Sequence, residues 1–576
     1  MKKRYWFITG ALVTLLVFGG CYYYYQEQEA NSTTSEVSKK SITATEWDIS
    51  QLTSSTGDNI QVLDYSDLSI ASISDIYNVD NQNVINDKID NLKASSTYTL
   101  DNPLIISDPY LTNTTGLYVY FETTDAMQVS YTVEAEGYED YSATLYNSSG
   151  TYATSHDYQI IGAVSGVENK ITLTTTAEDG TQSRKSFTYT PNKVQSTVSN
   201  TYDVEEGDST KELSNGLFAV IGNQASDTIR STYYLDNNGV VRAEIPILGY
   251  NSMRLNFTSD NQMYLGLNSS KIAKMTNLGQ VTQVIDVASQ GFSLHHDFVL
   301  DSDGNILALA TSQEKEETDN IVEDQVIKID TQSGTIKNTI DFENLLPDLY
   351  SVATDLEEHS NNIGKLDPIH LNTIQVLDNN TIIVSSRETS SIIKVDNITT
   401  TPSVSYMISD ESVWDGVGDY SNLLLTKLGN FVNNAGQHTV TYETDSSLED
   451  GQYYLYMFDN NSSLMDSRSD FDWSAYKTDD TTDIDVDDDA SMYYKYLVDE
   501  NAGTYRLVDS FEIPYSSYVS STQDYNGNIV IAPGSKNQVI EYDSSGDVIR
   551  SLTYTGESLL TYRTLKYSFN NFYFTE

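Results

Sequence analysis

Gln325-Val-Ile-Lys-Ile-Asp-Thr-Gln-Ser-Gly334 has a near copy in Gln538-Val-Ile-Glu-Tyr-Asp-Ser-Ser-Gly546. In each, a short strand pattern of apolar and β-branched residues runs into an Asp-led turn closed by glycine. The same phrase punctuates the chain from about residue 215 onward, at Asp236-Asn-Asn-Gly239, Asp301-Ser-Asp-Gly304 and Asn526-Gly527. A preceding strand often ends in an apolar stretch, as in Ile306-Leu-Ala-Leu309. Hairpins repeating in this way, without a strict motif, predict four-stranded units stacked around an axis, a β-propeller. About 360 residues at roughly 40–60 per unit predict six blades, with seven as the alternative.

Composition agrees with an all-β protein. Nine prolines, 43 tyrosines and few long helical patterns go with strands, and a hydrophobic content of 39% excludes global disorder. The 83 acidic residues against 32 basic ones give a formal net charge of −51. That charge argues against nucleic acid and against a basic membrane-binding surface. Any anionic substrate is repelled at long range, so its binding requires a small local cationic pocket.

Upstream of the propeller the chain divides into an anchor (1–26), a Ser/Thr/Glu-rich linker (27–70), a short helical segment (71–98) and a small β-sandwich (99–205), ahead of a propeller over 206–576. In the anchor, Met1-Lys-Lys-Arg4 precedes an apolar run, and Cys21, the only cysteine, is followed by Tyr22 to Tyr25. Two readings stand side by side: lipidation of Cys21 after Gly19-Gly20, or a single uncleaved membrane-spanning helix with a tyrosine belt. Both place the remainder outside the cytoplasm, attached to a membrane, and one cysteine excludes an intrachain disulfide. Sandwich strands are expected at Leu117–Phe121, Val129–Val133 and 171–174. The acidic run at 478–489 reads as a solvated loop, since EF-hand spacing and its turn glycine are missing. Asp301-Ser-Asp-Gly-Asn305 reads as a β-turn rather than a calcium loop.

Four of six histidines share the propeller: His295 and His296 in Leu-His-His-Asp-Phe, His370 in Asp-Pro-Ile-His-Leu-Asn, and His438 in Gly-Gln-His. Arg387 falls among them. The intervals are 74 residues from His296 to His370 and 68 from His370 to His438, so successive blades can bring them to one end of the axis. Histidine is a neutral nucleophile and proton carrier near pH 7, and arginine offers a planar fork to sulfate or phosphate oxygens. His156 and His359 are expected to be incidental. A zinc site is the rival reading for three histidines, but no His-x-x-x-His occurs, no carboxylate is expected at motif spacing from His370 or His438, and Arg387 disfavours a nearby dication. No nucleophile elbow, phosphate loop or dinucleotide fingerprint appears, so no cofactor is expected.

Several segments together resemble the PAPS-independent arylsulfate sulfotransferases of bacteria. In the small domain these are Asp101–Tyr110, Phe121-Glu-Thr123 and Ile160-Ile-Gly162. In the propeller they are His295–Phe298, Asp367–Ile374, Ile383–Arg387, Gln437-His438 and Phe458-Asp-Asn460. The resemblance covers about residues 80–576 and implies a six-bladed propeller that moves a sulfuryl group from a phenolic sulfate to a phenol by a ping-pong route. By that resemblance His438 is the nucleophile and forms a sulfohistidine. His370 and Arg387 hold the sulfuryl oxygens, and one of His295 and His296 completes the cradle. His296 is favoured because Asp297 is placed to orient it, and Asn372 is expected to assist. Neither metal nor cofactor is implied. The partners are the two phenolic small molecules and the membrane at the anchor, with a homodimer as a further candidate. Gly436 stands where relatives often carry tryptophan, and the stretch Trp414–Asp419 has no clear counterpart. A non-catalytic surface propeller that binds glycans or protein is the competing function.

Overall fold

The computed structural model describes residues 55–193, 202–225, 230–354, 365–462, 467–468, 471, 490–554 and 558–575. Cys21 with the anchor, most of the linker, His359 and the acidic run at 478–489 lie outside the described residues. Among those described, no helix is long and apolar enough to cross a membrane.

Six sheets form the propeller, in chain order, antiparallel except for the parallel pairing of Thr426–Leu428 at the edge of one of them. Blade I comprises Leu217–Ala225, Ser231–Leu235 and Val241–Pro246, with Ser558–Tyr567 as its innermost strand. Blade II runs from Asn256–Phe257 to Val281–Asp286, blade III from Phe292–Leu300 to Thr335–Asp341, and blade IV from Leu371–Asp378 to Ser403–Ile408. Blade V holds His438–Glu443, Gln452–Asp459, Ala490–Asp499 and Thr504–Pro514, with Thr426–Leu428 on its outer edge. Blade VI begins at Ser521–Tyr525 and ends at Val548–Thr553, extended by Asp203–Glu206. Two long-range pairings therefore close the ring: the last strand on blade I and the 203–206 strand on blade VI. A buried ion pair, Lys566 Nζ to Glu541 Oε2 at 2.6 Å, ties these two blades together.

The hairpin turns lie where the repeat predicts them, because each is built by its own side chain. Asp236 Oδ1 accepts from the amides of Asn238 and Val240, and Asp543 Oδ1 from those of Ser545 and Asp547. At Asp301 the same turn forms, and Lys328 holds the second oxygen at 2.7 Å.

The helix Val79–Ser95 is capped by Asn78, whose Oδ1 accepts from the amides of Asp80 and Asn81. In the small domain, the strands expected at Leu117–Phe121 and Val129–Val133 are one strand, Leu117–Ala135. Its first half pairs with Leu104–Ser107 and Ala153–Ile160, its second with Asn169–Ala177 and Tyr141–Thr144. The exposed polar residues between them turn the strand from one layer to the other. This domain shares a hydrophobic core with blades I and II. Arg242 reaches across to the carbonyls of Gly162 and Glu139, and Thr114 Oγ1 donates to Glu244 at 2.7 Å. His156 is a core residue there, stacked on Phe121 at 4.6 Å and bonded to Thr123 and Tyr158; burial pushes it down to about 4.

Candidate functional site

His295 and His296 lie on the innermost strand of blade III, His370 immediately precedes that of blade IV, and His438 opens that of blade V. Each of these three strands breaks register at this point: between Leu294 and Phe298, between Leu371 and Thr373, and between His438 and Thr441. Left-handed residues sit within two of the breaks, His296 (φ 51°) and Thr439 (φ 54°), and His370 (φ 46°) stands just ahead of the third. Such bulges re-aim side chains out of the strict up-down alternation of a strand. The two adjacent rings of blade III therefore face each other, with Nδ1 of His295 2.8 Å from Nδ1 of His296. The His296 ring lies 4.9 Å from that of His370 and 5.5 Å from Tyr562 of blade I. His438 packs on the same Tyr562 ring at 6.1 Å. The Arg387 amide donates to the His370 carbonyl at 3.0 Å, and its guanidinium is buried. All four histidines and the arginine thus gather at the axis.

The environment of His438 fixes its tautomer. Its Nδ1 lies 2.7 Å from Asn460 Oδ1 and 3.1 Å from the Gly436 carbonyl. The Asn460 amide nitrogen donates to the carbonyls of Ser516 and Val519, so its oxygen must face the ring. Both neighbours of Nδ1 are acceptors, so Nδ1 carries the hydrogen and Nε2 carries the lone pair. Burial, with the cations of Arg387 and His370 adding to it, pushes the His438 imidazole down to about 3. It is neutral at any ordinary pH. Gly436 has φ 64°, and a Cβ there would meet the Ser462 carbonyl oxygen at 2.3 Å, which accounts for glycine in place of a larger residue.

His370 has the opposite environment. Its Nδ1 donates to Asp367 Oδ2 and lies 2.8 Å from Glu323 Oε2. Burial alone would lower it, but the Glu323 and Asp367 carboxylates outweigh burial and push His370 up to about 10. In turn, burial together with Glu323 raises Asp367 to about 6, while the surrounding histidines hold Glu323 well below the usual carboxylate range despite its burial. Burial depresses His295 and His296. A neutral imidazole and an imidazolium therefore sit side by side.

Two sequence expectations need correction. Carboxylates do flank His370: Asp367 three residues earlier, and Glu323 from the loop ahead of Gln325–Asp330 in blade III. Asp297 does not orient His296. It is fully buried and accepts from Arg254 and Arg563, because the bulge turns it away from the histidine rings. Arg563 also donates to the His296 carbonyl at 3.2 Å. Asn372 donates to the Gln437 carbonyl at 2.7 Å and so braces the residue before His438. The sequence reading missed Glu323, Asp367, Asn460 and Tyr562 as site residues; Asp367 and Asn460 lay inside segments already singled out, while nothing local marked Glu323. Trp414, in the stretch without a counterpart, is buried and donates to Ser391 Oγ at 3.2 Å, behind the Arg387 turn.

His295, His296 and Glu323, and likewise Glu323, Asp367 and His370, bring ligand-type atoms within 4.8 Å of one another, close enough for a metal ion. A proton on His370 Nδ1 satisfies the second triplet equally well, since it supplies the positive charge between two carboxylates.

The family model described as Arylsulfotransferase (ASST) matches residues 203–563, and the Arylsulfotransferase Ig-like domain matches 104–193. The chain belongs to the arylsulfotransferase family. Its membership supports arylsulfotransferase activity and phenolic substrates, carried by the propeller that holds the histidines. No curated protein matches the chain. Among solved structures, a proposed 6-phosphogluconolactonase from Bacteroides fragilis NCTC 9343 is 12% identical, with 76% of this arylsulfotransferase and 98% of that chain covered and a TM-score of 0.32. BamB from Moraxella catarrhalis is 11% identical over 62% and 89%, with a TM-score of 0.29. Likeness at this level carries no argument about activity.

Proposed function

We propose that this arylsulfotransferase works without a nucleotide sulfate, by a ping-pong route through a sulfohistidine at His438. The supporting observation is the contrast between His438, neutral with Nε2 free, and the protonated His370 and Arg387 beside it. In the first half-reaction His438 Nε2 attacks the sulfur of an aryl sulfate, forming an N–S bond while the aryl O–S bond breaks. The departing phenolate takes the proton from His370 Nε2. In the second, the acceptor phenol returns its proton to His370 and its oxygen attacks sulfur, breaking the N–S bond. Arg387 and the His296 ring line the space in which the sulfuryl oxygens are held. As in phosphoryl transfer, where the transition state is loose, such fixed donors contribute mainly by positioning and charge stabilisation.

The test is incubation of the folded protein with 4-nitrophenyl sulfate, with and without a phenol. Acceptor-dependent release of nitrophenolate is expected, and labelled sulfate should be trapped on His438 when the acceptor is withheld. His438→Asn should abolish both; a wild-type rate in that variant removes His438 as nucleophile. Release without an acceptor would indicate a sulfatase, and no turnover with any aryl ester would favour the non-catalytic surface propeller. We also place the enzyme outside the cytoplasm, held by residues 1–26, on the strength of that sequence alone.

A further inference from the structure

Three side chains with ligand-type atoms converge beside the sulfuryl pocket, and they share too few hydrogens to satisfy them all. His295, 8% exposed, and His296 turn their Nδ1 atoms to each other at 2.8 Å, and Glu323 Oε2 stands 3.9 Å from Nδ1 of His296. One hydrogen between the two rings serves the histidines alone. Glu323 Oε2 is buried yet accepts no hydrogen bond. Its other close contact, His370 Nδ1 at 2.8 Å, is ionic, because the hydrogen on that nitrogen goes to Asp367. The arrangement is nonetheless closely specified. Glu323 is left-handed (φ 58°), its amide donates to Thr311 Oγ1 at 2.9 Å, and its carbonyl accepts from the Leu371 amide at 3.1 Å. His296 is left-handed too (φ 51°), with its carbonyl held by Arg563. Two strained residues, one in a bulge and one in a loop, are thus fixed so that two nitrogens and an oxygen meet.

We propose that His295 Nδ1, His296 Nδ1 and the Glu323 carboxylate form a binding site for one divalent transition-metal ion. Nitrogen and oxygen ligands lie about 2.0–2.2 Å from such an ion, so two of them stand about 2.8 Å apart in adjacent positions and about 4.4 Å apart in opposite ones. The observed 2.8 and 3.9 Å fall within that span, and the three atoms all lie within 4.8 Å of one another. Two imidazoles with one carboxylate favour zinc, iron or manganese over magnesium and calcium, which prefer oxygen shells. Glu323 cancels part of the ion's charge, and Arg387 is met by Glu388 at 4.0 Å, so the guanidinium does not exclude the ion. The proton on His370 stays with Asp367. No His-x-x-x-His marks the site, because a bulge brings consecutive histidines together and Glu323 follows His296 by 27 residues. In a protein of charge −51, the ion supplies positive charge where an anion must bind. The site itself goes beyond the sulfohistidine reading, while its consequence rests on that reading. Coordination through Nδ1 leaves the His296 hydrogen on Nε2 and makes the ring a fixed donor to a sulfuryl oxygen.

The experiment strips the purified full chain with a chelator and titrates it calorimetrically with Zn²⁺, Mn²⁺ and Mg²⁺, in about 0.15 M salt to screen diffuse binding to the acidic surface. Zn²⁺ or Mn²⁺ should bind at one ion per chain and much more tightly than Mg²⁺. Glu323→Gln and His295→Ala should each weaken that binding by at least about tenfold. X-ray absorption of the zinc-loaded wild type needs no variant and should show two imidazoles around the metal. No stoichiometric binding of Zn²⁺ or Mn²⁺, undiminished binding by Glu323→Gln, or fewer than two imidazoles around zinc would overturn the proposal. So would binding that is lost in His370→Ala but kept in His295→Ala, for the ion would then sit with Asp367. These measurements use no substrate and hold whether or not sulfuryl transfer occurs. Removal of the ion should lower kcat by about 10–100-fold, and an undiminished rate would strip His296 of its role as donor. Absence of any transfer from 4-nitrophenyl sulfate to phenol by the zinc-loaded wild type would instead refute the sulfohistidine reading and leave the metal site standing.

Discussion

Replacing Asn460 with aspartate tests the idea that His438 acts as a neutral nucleophile. In the wild type the carboxamide oxygen accepts the Nδ1 hydrogen at 2.7 Å and carries no charge, and burial holds the imidazole down at about 3. A carboxylate at the same point would stabilise the imidazolium. Adjacent opposite charges commonly move a pKa by about 1–3 units, each worth about 1.36 kcal/mol. The acid limb of kcat/KM should therefore rise from about 3 to about 4–6, because the competent species is the deprotonated ring and the variant keeps its proton to higher pH. At pH 5 the rate should fall by up to about tenfold relative to its plateau, and near pH 8 it should approach the plateau. The aspartate would also leave the carbonyls of Ser516 and Val519 without their donor, costing about 1–3 kcal/mol in thermal stability. The assay is nitrophenolate release with saturating acceptor from pH 4 to 9, alongside a melting curve at each pH. An acid limb that stays where the wild type has it, in folded protein, would refute the assigned role of the Asn460–His438 contact.

Arg387→Lys should lower kcat by about 10²–10³, the usual loss when a fixed oxyanion donor is removed, since a point charge does not reproduce the fork; an undiminished rate makes Arg387 structural. Asp297→Asn leaves the guanidiniums of Arg254 and Arg563 without their buried counter-charge and should cost about 3–5 kcal/mol in chemical denaturation. A loss below about 1 kcal/mol would show that the three are not an energetic unit. Raising ionic strength from about 0.01 to 0.1 M shortens the screening length from about 30 to 10 Å. For a protein of charge −51 this should increase kcat/KM for an anionic sulfate ester while leaving kcat unchanged. A decrease would mean that the local cations dominate even the approach of substrate.

What could be read from the sequence was what the chain builds locally. The turns at Asp236 and Asp543 are made by side chains bonding amides two and four residues ahead, so composition alone reveals them and their rhythm counts the blades. The histidines were legible for a different reason: they are scarce, and their spacing matches blade repeats. Of the partners that decide their protonation, Asp367 and Asn460 stood in segments the motifs had marked, but the distant ones were not legible. Glu323 lies 47 residues before His370, and Arg563 meets Asp297 across 266 residues. Asp297 misled because adjacency in sequence implies proximity only if the strand is regular, and here it is bulged. The 19-residue strand Leu117–Ala135 was split for a related reason: the polar middle that looks like a loop is the bend by which it changes layers.

The bulges also bear on why the site is preformed. In a regular strand His295 and His296 would point to opposite faces, and neither His370 nor Thr439 would need a left-handed backbone. Each such residue costs about 1–3 kcal/mol and persists only where the surroundings over-determine it. Here they do: the Arg387 amide holds the His370 carbonyl, Arg563 holds that of His296, and Thr439 Oγ1 donates to the Ser520 carbonyl at 3.0 Å. Three neighbouring blades use the same device at the same end of the axis. The strain is therefore borne by the resting protein, before any ester arrives. A site whose cations and acceptors are already fixed needs little rearrangement as charge moves from sulfur to the phenolic oxygen, and that is the condition under which hydrogen bonds in a buried pocket stabilise a transition state more than water does. The propeller supplies the rigidity, and its irregular inner strands supply the aim.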